Sequence, residues 1–251
     1  MNYSGGDVIS AISLKGLEIN VDLGFNEEVK GRKTEALIEV ISEFFHEKIG
    51  DILVVGCGSG REAGMLARAF NANATGIDVG NDFTFDHEGS APAKLLTMDA
   101  RILEFPDNSF DMVFSFHALE HIPEPQRALA EMGRVLRPGG MYLIGTPNKG
   151  RLIGGFTTPH PLRLKILWNA QDLWKRFTGR WSNEAGAHAG FTIAELSSFC
   201  STAFGNVTDI SVRYYRSLHS RHHAAIGAIT RSGLKEIIFP CVYVAGTKSL
   251  H

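Results

Sequence analysis

At 251 residues, with 44% hydrophobic and 21% charged side chains, the chain is long enough for one sizeable core and has an ordinary globular composition. A formal net charge of −2 gives no global reason to expect a nucleic-acid partner. Three widely spaced cysteines, Cys57, Cys200 and Cys241, argue against a disulfide framework or zinc ribbon and for a reducing, cytoplasmic setting. Met1 to Asp7 lacks signal-peptide character, and no apolar run approaches the roughly 20 residues that span a bilayer, so no transmembrane segment is expected.

Residues 8–23 alternate loosely and read as short strands. From Glu27 to about Lys48, Ala36, Leu37, Val40, Ile41, Phe44 and Phe45 recur at helical spacing, with Gly50 as the stop. Ile52 to Val55 is a short, wholly apolar run of the kind buried in a parallel sheet. Ala74–Ile77, Lys94–Thr97, Met112–Phe116, Met141–Gly145 and Val242–Ala245 read the same way, with helices at Arg61–Phe70 and Gln126–Leu136. This alternation predicts an α/β fold with a doubly wound sheet.

The alternation breaks after Asn148. Residues 149–190 hold all three tryptophans and seven cations against two carboxylates, a net charge of +5. They are expected to form an insertion, or lid, within a single domain of residues 1–251, separating a cofactor-binding core (27–148) from the C-terminal part of the sheet (191–251). Thr192, with Glu195 three residues on, predicts a capping box. Asn206–Tyr214 and Val242–Thr247 are expected to close the sheet as a hairpin-like pair, separated by a polar, His-rich excursion.

A glycine loop, Gly56-Cys57-Gly58-Ser59-Gly60, follows the first strand and opens a helix. There the backbone approaches a nucleotide-like ligand closely and helix amides favour polar groups. A dinucleotide fingerprint would place its third small residue at position 61, where Arg61 stands; this weakens an NAD(P)-dependent oxidoreductase reading. Asp78, 22 residues after Gly56 and at a strand end, is spaced to accept both ribose hydroxyls of an adenosine. Asp99, just past the next strand, suits the exocyclic amine of an adenine.

With these residues the stretch from Ile52 to Asn148, about two-fifths of the chain, resembles the class I S-adenosylmethionine-dependent methyltransferases of the small-molecule type. The resemblance runs through the glycine loop, Gly76-Ile77-Asp78, Asp99-Ala100, Phe105–Val113, Glu131–Gly140 and Thr146-Pro147-Asn148, in the family's order. It implies a Rossmann-like sheet of seven strands, mostly parallel with the last antiparallel, and S-adenosylmethionine as cofactor. It implies that Gly56, Gly58 and Gly60 lie beside the aminoacyl part and ribose, that Asp78 holds the ribose, and that Asp99 with the Ala100 amide reads the adenine. Ser115, Phe116 and His117 would line the cofactor and face the methyl group. Leu136–Gly140 would be the turn before the fifth strand. One departure stands at Val54, where the family usually has an acidic residue near the methionine ammonium; either Glu62 or a backbone carbonyl takes its place or cofactor affinity is weaker.

Such a protein would move a methyl group to oxygen or nitrogen of a small-molecule acceptor. An acceptor that must lose a proton needs a base, and histidine titrates in the right range. His117 is the candidate catalytic residue. His121, four positions on, shares its face if the segment is helical, but Ala118 between them excludes a zinc-protease motif, and no metal site is expected. His160, His188 and the His219–His223 run read as loop histidines. The basic insertion is read first as a cap that excludes water, second as a recogniser of an acidic or glycan-like acceptor, and third as a membrane contact. The alternative from another class is a non-catalytic scaffold, for which Val54 is the support.

Overall fold

The computed structural model describes residues 27–84, 93–152, 161–184 and 188–250. The expected strands at residues 8–23 and His160 lie outside these.

Strand and helix alternate as the hydrophobic runs require: α1 (Glu27–Phe44), β1 (Asp51–Val55), α2 (Arg61–Phe70), β2 (Asn73–Asp78), β3 (Lys94–Thr97), β4 (Phe110–Phe116), α3 (Pro125–Val135) and β5 (Leu136–Pro147). The remainder is α4 (Leu162–Phe177), α5 (Ile193–Phe204), β6 (Thr208–Asp209), α6 (Ser211–Leu218), α7 (His223–Arg231), α8 (Lys235–Ile238) and β7 (Cys241–Thr247). Seven strands form one sheet in the order β3-β2-β1-β4-β5-β7-β6. All neighbours are parallel except where β7 runs antiparallel between β5 and β6. The expected doubly wound, Rossmann-like sheet is therefore present.

Period-two alternation splits each strand between two layers. Ile52 and Val54 join α1, α2, α6 and α7 on one face through Leu37, Ile41, Leu66, Tyr214 and Ile226. Leu53 and Val55 join α3 and α5 on the other through Leu129, Met132, Leu196 and Phe204. Each such aliphatic side chain contributes about 1.5–3 kcal/mol by leaving water, which is why these wholly apolar strands sit mid-sheet.

Three expectations need correction. α1 ends at Phe44, not near Lys48, and Gly50 serves instead as a backbone donor to Asp111 Oδ2 at 2.8 Å. Leu136–Gly140 is the irregular start of β5 and not a turn before it. There Phe110 pairs with Leu136, the register shifts, and Arg137 bridges Asp111 and Asp51 at the amino ends of the central strands. Asn206–Tyr214 pairs with β7 only over Thr208–Asp209, because Ser211 opens α6; the His-rich excursion is helical. The capping box is present: Glu195 N–H donates to Thr192 Oγ1 at 3.2 Å and Thr192 N–H to Glu195 Oε2 at 2.8 Å.

The segment 149–190 leaves and rejoins the sheet at one point. Asn148 bridges Phe191, and Lys149 N–H donates to Phe191 O at 3.1 Å.

Candidate functional site

The carboxyl ends of β1, β2, β3 and β4 converge on one edge, where the glycine loop is fixed by its own backbone. The Gly56 and Cys57 amides both donate to Ile77 O, at 2.9 and 3.0 Å, tying the loop to β2. Gly56, Gly58 and Gly60 all have positive φ (73°, 49° and 93°), which side chains other than glycine disfavour. Gly56 is also cramped: a Cβ there would lie 2.1 Å from Ala118 Cβ. Val54 beneath the loop is fully buried and packs in the core. Glu62 lies in the first turn of α2.

Asp78 closes the loop from the next strand. Its Oδ2 accepts from Gly58 N–H at 2.9 Å and its Oδ1 from Gly80 N–H at 3.0 Å. A carboxylate has about four acceptor positions, so two remain. Asp99 is held differently. Arg101 grips it through Nε at 3.0 Å to each oxygen and through a terminal nitrogen at 2.6 Å, and these hydrogen bonds keep its pKa below the usual carboxylate value. Ala100 beside it is buried. Asp99 lines an open groove of about 440 Å³ together with Val79, Thr97, Met98, Ile102 and Glu104. Val79 and Ile102 are exposed apolar side chains in this groove, suited to cover the faces of a flat ring. The sequence reading missed both, because single hydrophobics after a strand carry no periodic signal.

On the other side of the loop, β4 ends at Phe116 and the backbone turns sharply. His117 has φ +54° and its amide donates to Gly145 O at 2.8 Å. Only a short 3-10 turn, Leu119–His121, follows, so His117 and His121 do not share a helical face. They meet instead at Glu120, whose Oε1 lies 3.6 Å from His117 Nδ1 and 3.9 Å from His121 Nε2. Thr146 Oγ1 donates to the second carboxylate oxygen at 3.2 Å. Burial alone would raise the Glu120 pKa, but His117 outweighs it and holds the buried carboxyl ionised.

The other ring nitrogen, Nε2, lies 3.7 Å from Cys241 Sγ at the start of β7. Burial would depress the His117 pKa; the Cys241 sulfur and Glu120 overcome it and raise the imidazole to about 10. Cys241 shifts the opposite way, since His117, Lys33 and Arg151 outweigh its burial and lower it. Cys57 and Cys200 are pushed up to about 12 by burial. A thiol and a buried carboxylate thus lie at the two ring nitrogens of one imidazole, the thiol coming from 124 positions away in the chain. His117, the candidate catalytic residue, stands between the Cys241 sulfur and the Glu120 carboxylate.

Other expected residues fall out differently. Phe116 is half-buried, edge-on to His117 at 4.3 Å between ring centres. Ser115 is fully buried, and its hydroxyl has no hydrogen-bond partner among the described residues. His188 packs edge-on against His121 at 4.6 Å, next to the site, whereas His219 stacks on Tyr215. Among the described residues no three metal-ligating side chains are grouped to hold an ion, and no helix is long and apolar enough to cross a membrane.

Residues 53–144 match the family described as "Methyltransferase domain". The chain is 31% identical over 120 residues to phosphoethanolamine N-methyltransferase 2 of Caenorhabditis elegans, covering 45% of this chain and 28% of that protein. It is 40% identical over 96 residues to the fatty-acid O-methyltransferase of Mycolicibacterium smegmatis, covering 37% of this chain and 35% of that one. The matches span less than half the length of the first such relatives, 28%, 32% and 48%. In fold it is similar to a putative sarcosine dimethylglycine methyltransferase from Galdieria sulphuraria, with a TM-score of 0.54 at 17% identity over 89% of this chain and 88% of that chain.

Proposed function

We propose that the chain, whose residues 53–144 match the methyltransferase-domain family, transfers a methyl group from S-adenosylmethionine to oxygen or nitrogen of a small-molecule acceptor. The observation that carries this reading is the glycine loop. It is held in positive φ, has no room for a Cβ at Gly56, and adjoins Asp78 and the Asp99 groove on one sheet edge.

The residues present fit the cofactor. The backbone of Gly56, Gly58 and Gly60 would meet its aminoacyl and ribose parts, the free acceptor positions of Asp78 its ribose hydroxyls, and Asp99 with the Ala100 amide its adenine, between Val79 and Ile102. Phe116 would wall the methyl position. When bound, the cofactor supplies a sulfonium carbon already activated for displacement. The protein then has to orient the acceptor's lone pair, exclude water and take the acceptor's proton. We assign proton removal to the Cys241–His117 pair. Glu120 holds the imidazole in place from its Nδ1 side, and Cys241 faces Nε2. Lys33, Arg151 and His117 around Cys241 favour an acceptor carrying an acidic group. The segment 149–190 is assigned the role of cap.

Titration calorimetry tests the cofactor part. S-adenosylmethionine and S-adenosylhomocysteine should bind, NAD(P) should not, and Asp78→Ala should weaken binding roughly tenfold or more, as loss of charge-assisted hydrogen bonds does. Absence of binding to folded protein would favour a second reading, a non-catalytic scaffold, for which the buried Val54 in the usual acidic position is the specific support. For the proton step, His117→Ala turnover within about twofold of wild type would remove the pair from catalysis.

A further inference from the structure

α4 is built inside out. A surface helix normally turns its apolar stripe to the core and its charges to water. At about 100° per residue, Leu162, Ile166, Leu167, Leu173, Trp174 and Phe177 fall on one arc of about 140°, and that arc faces solvent. Leu162 is 72%, Trp174 67% and Phe177 81% exposed. No side chain of α4 is buried. The opposite side carries Lys165, Asp172, Lys175 and Arg176 beside Leu164 and Trp168, all half-buried.

The orientation is fixed by polar contacts. Arg176 donates to the carbonyls of Lys149, at 2.9 Å, and Arg151. Asp172 pairs with Arg151 at 3.3 Å. Arg176 and Arg151 lie over the Trp181 ring at 4.4 and 5.0 Å, and Trp181 Nε1 donates to Lys149 O at 2.9 Å. The helix is thus pinned by its charged side to the loop after β5, and the apolar arc is held outward.

Charge selects the occupant of that arc. Residues 162–180 hold Arg163, Lys165, Lys175, Arg176 and Arg180 against Asp172, a net charge of +4 in a chain whose total is −2. Two copies packed through α4 would oppose segments of like charge, which disfavours self-association. An anionic lipid surface reverses the sign. Basic residues near such a surface each favour binding by about fivefold, and an apolar face with basic flanks lies along the headgroup boundary.

We propose that α4 is a membrane-surface helix. It lies along a bilayer containing anionic lipid, with Leu162, Ile166, Leu173, Trp174 and Phe177 immersed and the exposed Arg163 and Arg180 reaching to the phosphates. Its anchor, the segment Lys149 to Arg151, follows β5 at the sheet edge that carries His117 and Cys241. Docking through α4 would therefore hold that edge beside the bilayer. The inference stands on α4 alone and does not require the proposed activity.

The test is flotation of the full chain with vesicles of phosphatidylcholine alone and of phosphatidylcholine mixed with phosphatidylglycerol. Wild type should float with the mixed vesicles at low salt, and much less with phosphatidylcholine alone. Trp174 emission should shift to the blue and be quenched by brominated lipid, and Trp174→Phe should remove most of that quenching. Ile166→Glu/Phe177→Glu should lower partitioning roughly tenfold or more, because two apolar anchors become charges. Arg163→Gln/Arg180→Gln, at the two exposed cations of the segment, should lower it selectively for the anionic vesicles, with melting temperatures of all variants close to wild type. No partitioning of wild type into mixed vesicles at low salt would overturn the proposal. So would a wild-type dimer in sedimentation velocity that Ile166→Glu/Phe177→Glu converts to monomer, since the arc would then be a contact between copies.

Discussion

Alanine substitution in the glycine loop separates two causes of strain that coincide at Gly56. An alanine forced to φ near +73° costs about 1–2 kcal/mol from its Cβ against its own backbone. Its Cβ would also lie 2.1 Å from Ala118 Cβ, far inside the ~3.5–4 Å of a carbon contact. Both atoms are set by backbone, so the loop or the turn after β4 must move, and overpacking of this kind costs about 1–3 kcal/mol. The sum, about 2–5 kcal/mol, corresponds to roughly 5–15 °C in Tm for a domain of this length. Gly58→Ala supplies the control: φ is +49° but no atom lies within 4 Å of the added Cβ, so only the first cost, about 1–2 kcal/mol, applies. Gly60→Ala meets Leu95 Cδ1 at 2.5 Å, the movable end of a side chain, and should fall between them. Differential scanning calorimetry of the three variants gives the order, and Gly56→Ala/Ala118→Gly gives the cause. Removing the Ala118 methyl should recover the overpacking part and leave the φ part. Equal Tm losses for Gly56→Ala and Gly58→Ala, or no recovery in the double variant, would refute the steric argument.

Iodoacetamide should label Cys241 in the native chain at lower pH than an ordinary thiol, and leave the buried Cys57 and Cys200 unlabelled; peptide mass mapping against pH reads both, and His117→Gln should move the Cys241 profile to higher pH. Because the folded pKa of His117 is raised from 6.5 to about 10, its contribution to stability is complete below 6.5 and lost as pH rises through about 10. The Tm difference between wild type and His117→Gln should therefore shrink over that interval, and a constant difference would contradict the pairing. Thr192→Ala removes one half of the capping box at α5 and should cost about 1 kcal/mol, seen as a Tm loss of roughly 2–4 °C. Arg176→Ala removes the anchor of α4 on Trp181 and on two carbonyls; limited proteolysis should then cut α4 faster while the core remains intact.

The sheet edge that carries the glycine loop was legible because backbone requirements write themselves into sequence. Positive φ in a tight strand-to-helix turn selects glycine at Gly56, Gly58 and Gly60, and a carboxylate at a strand end falls at a fixed remove from that turn, as Asp78 does. The strand runs were legible for a similar reason, since a buried parallel strand must be apolar on both faces. Boundaries were less so. The end of α1 at Phe44 and the helical start at Ser211 depend on which layer each segment packs against. The bulged start of β5 depends on Arg137 reaching Asp111 and Asp51, contacts that no local pattern announces.

The cluster of Cys241, His117 and Glu120 was illegible for a different reason: it is made of side chains that only the topology assembles. Cys241 becomes a neighbour of His117 because β7 inserts antiparallel against β5, which sets Cys241 opposite Pro147, two residues beyond Gly145, whose carbonyl receives the His117 amide. Glu120 appears in sequence as one acid in a turn; burial between two imidazoles and Thr146 makes it the fixed charge of the cluster. The same holds for α4. Its sequence reads as apolar and basic residues that do not separate cleanly into faces, because Arg163 interrupts the apolar arc. Only the contacts of Arg176 and Asp172 with the loop after β5 decide which side looks out. One consequence links the two regions: Arg151 both lowers the Cys241 pKa and pairs with Asp172 of α4. Any displacement of α4 that draws Arg151 away from Cys241 should therefore raise the pKa of that thiol. Cys241 labelling in the presence and absence of anionic vesicles would measure this coupling directly.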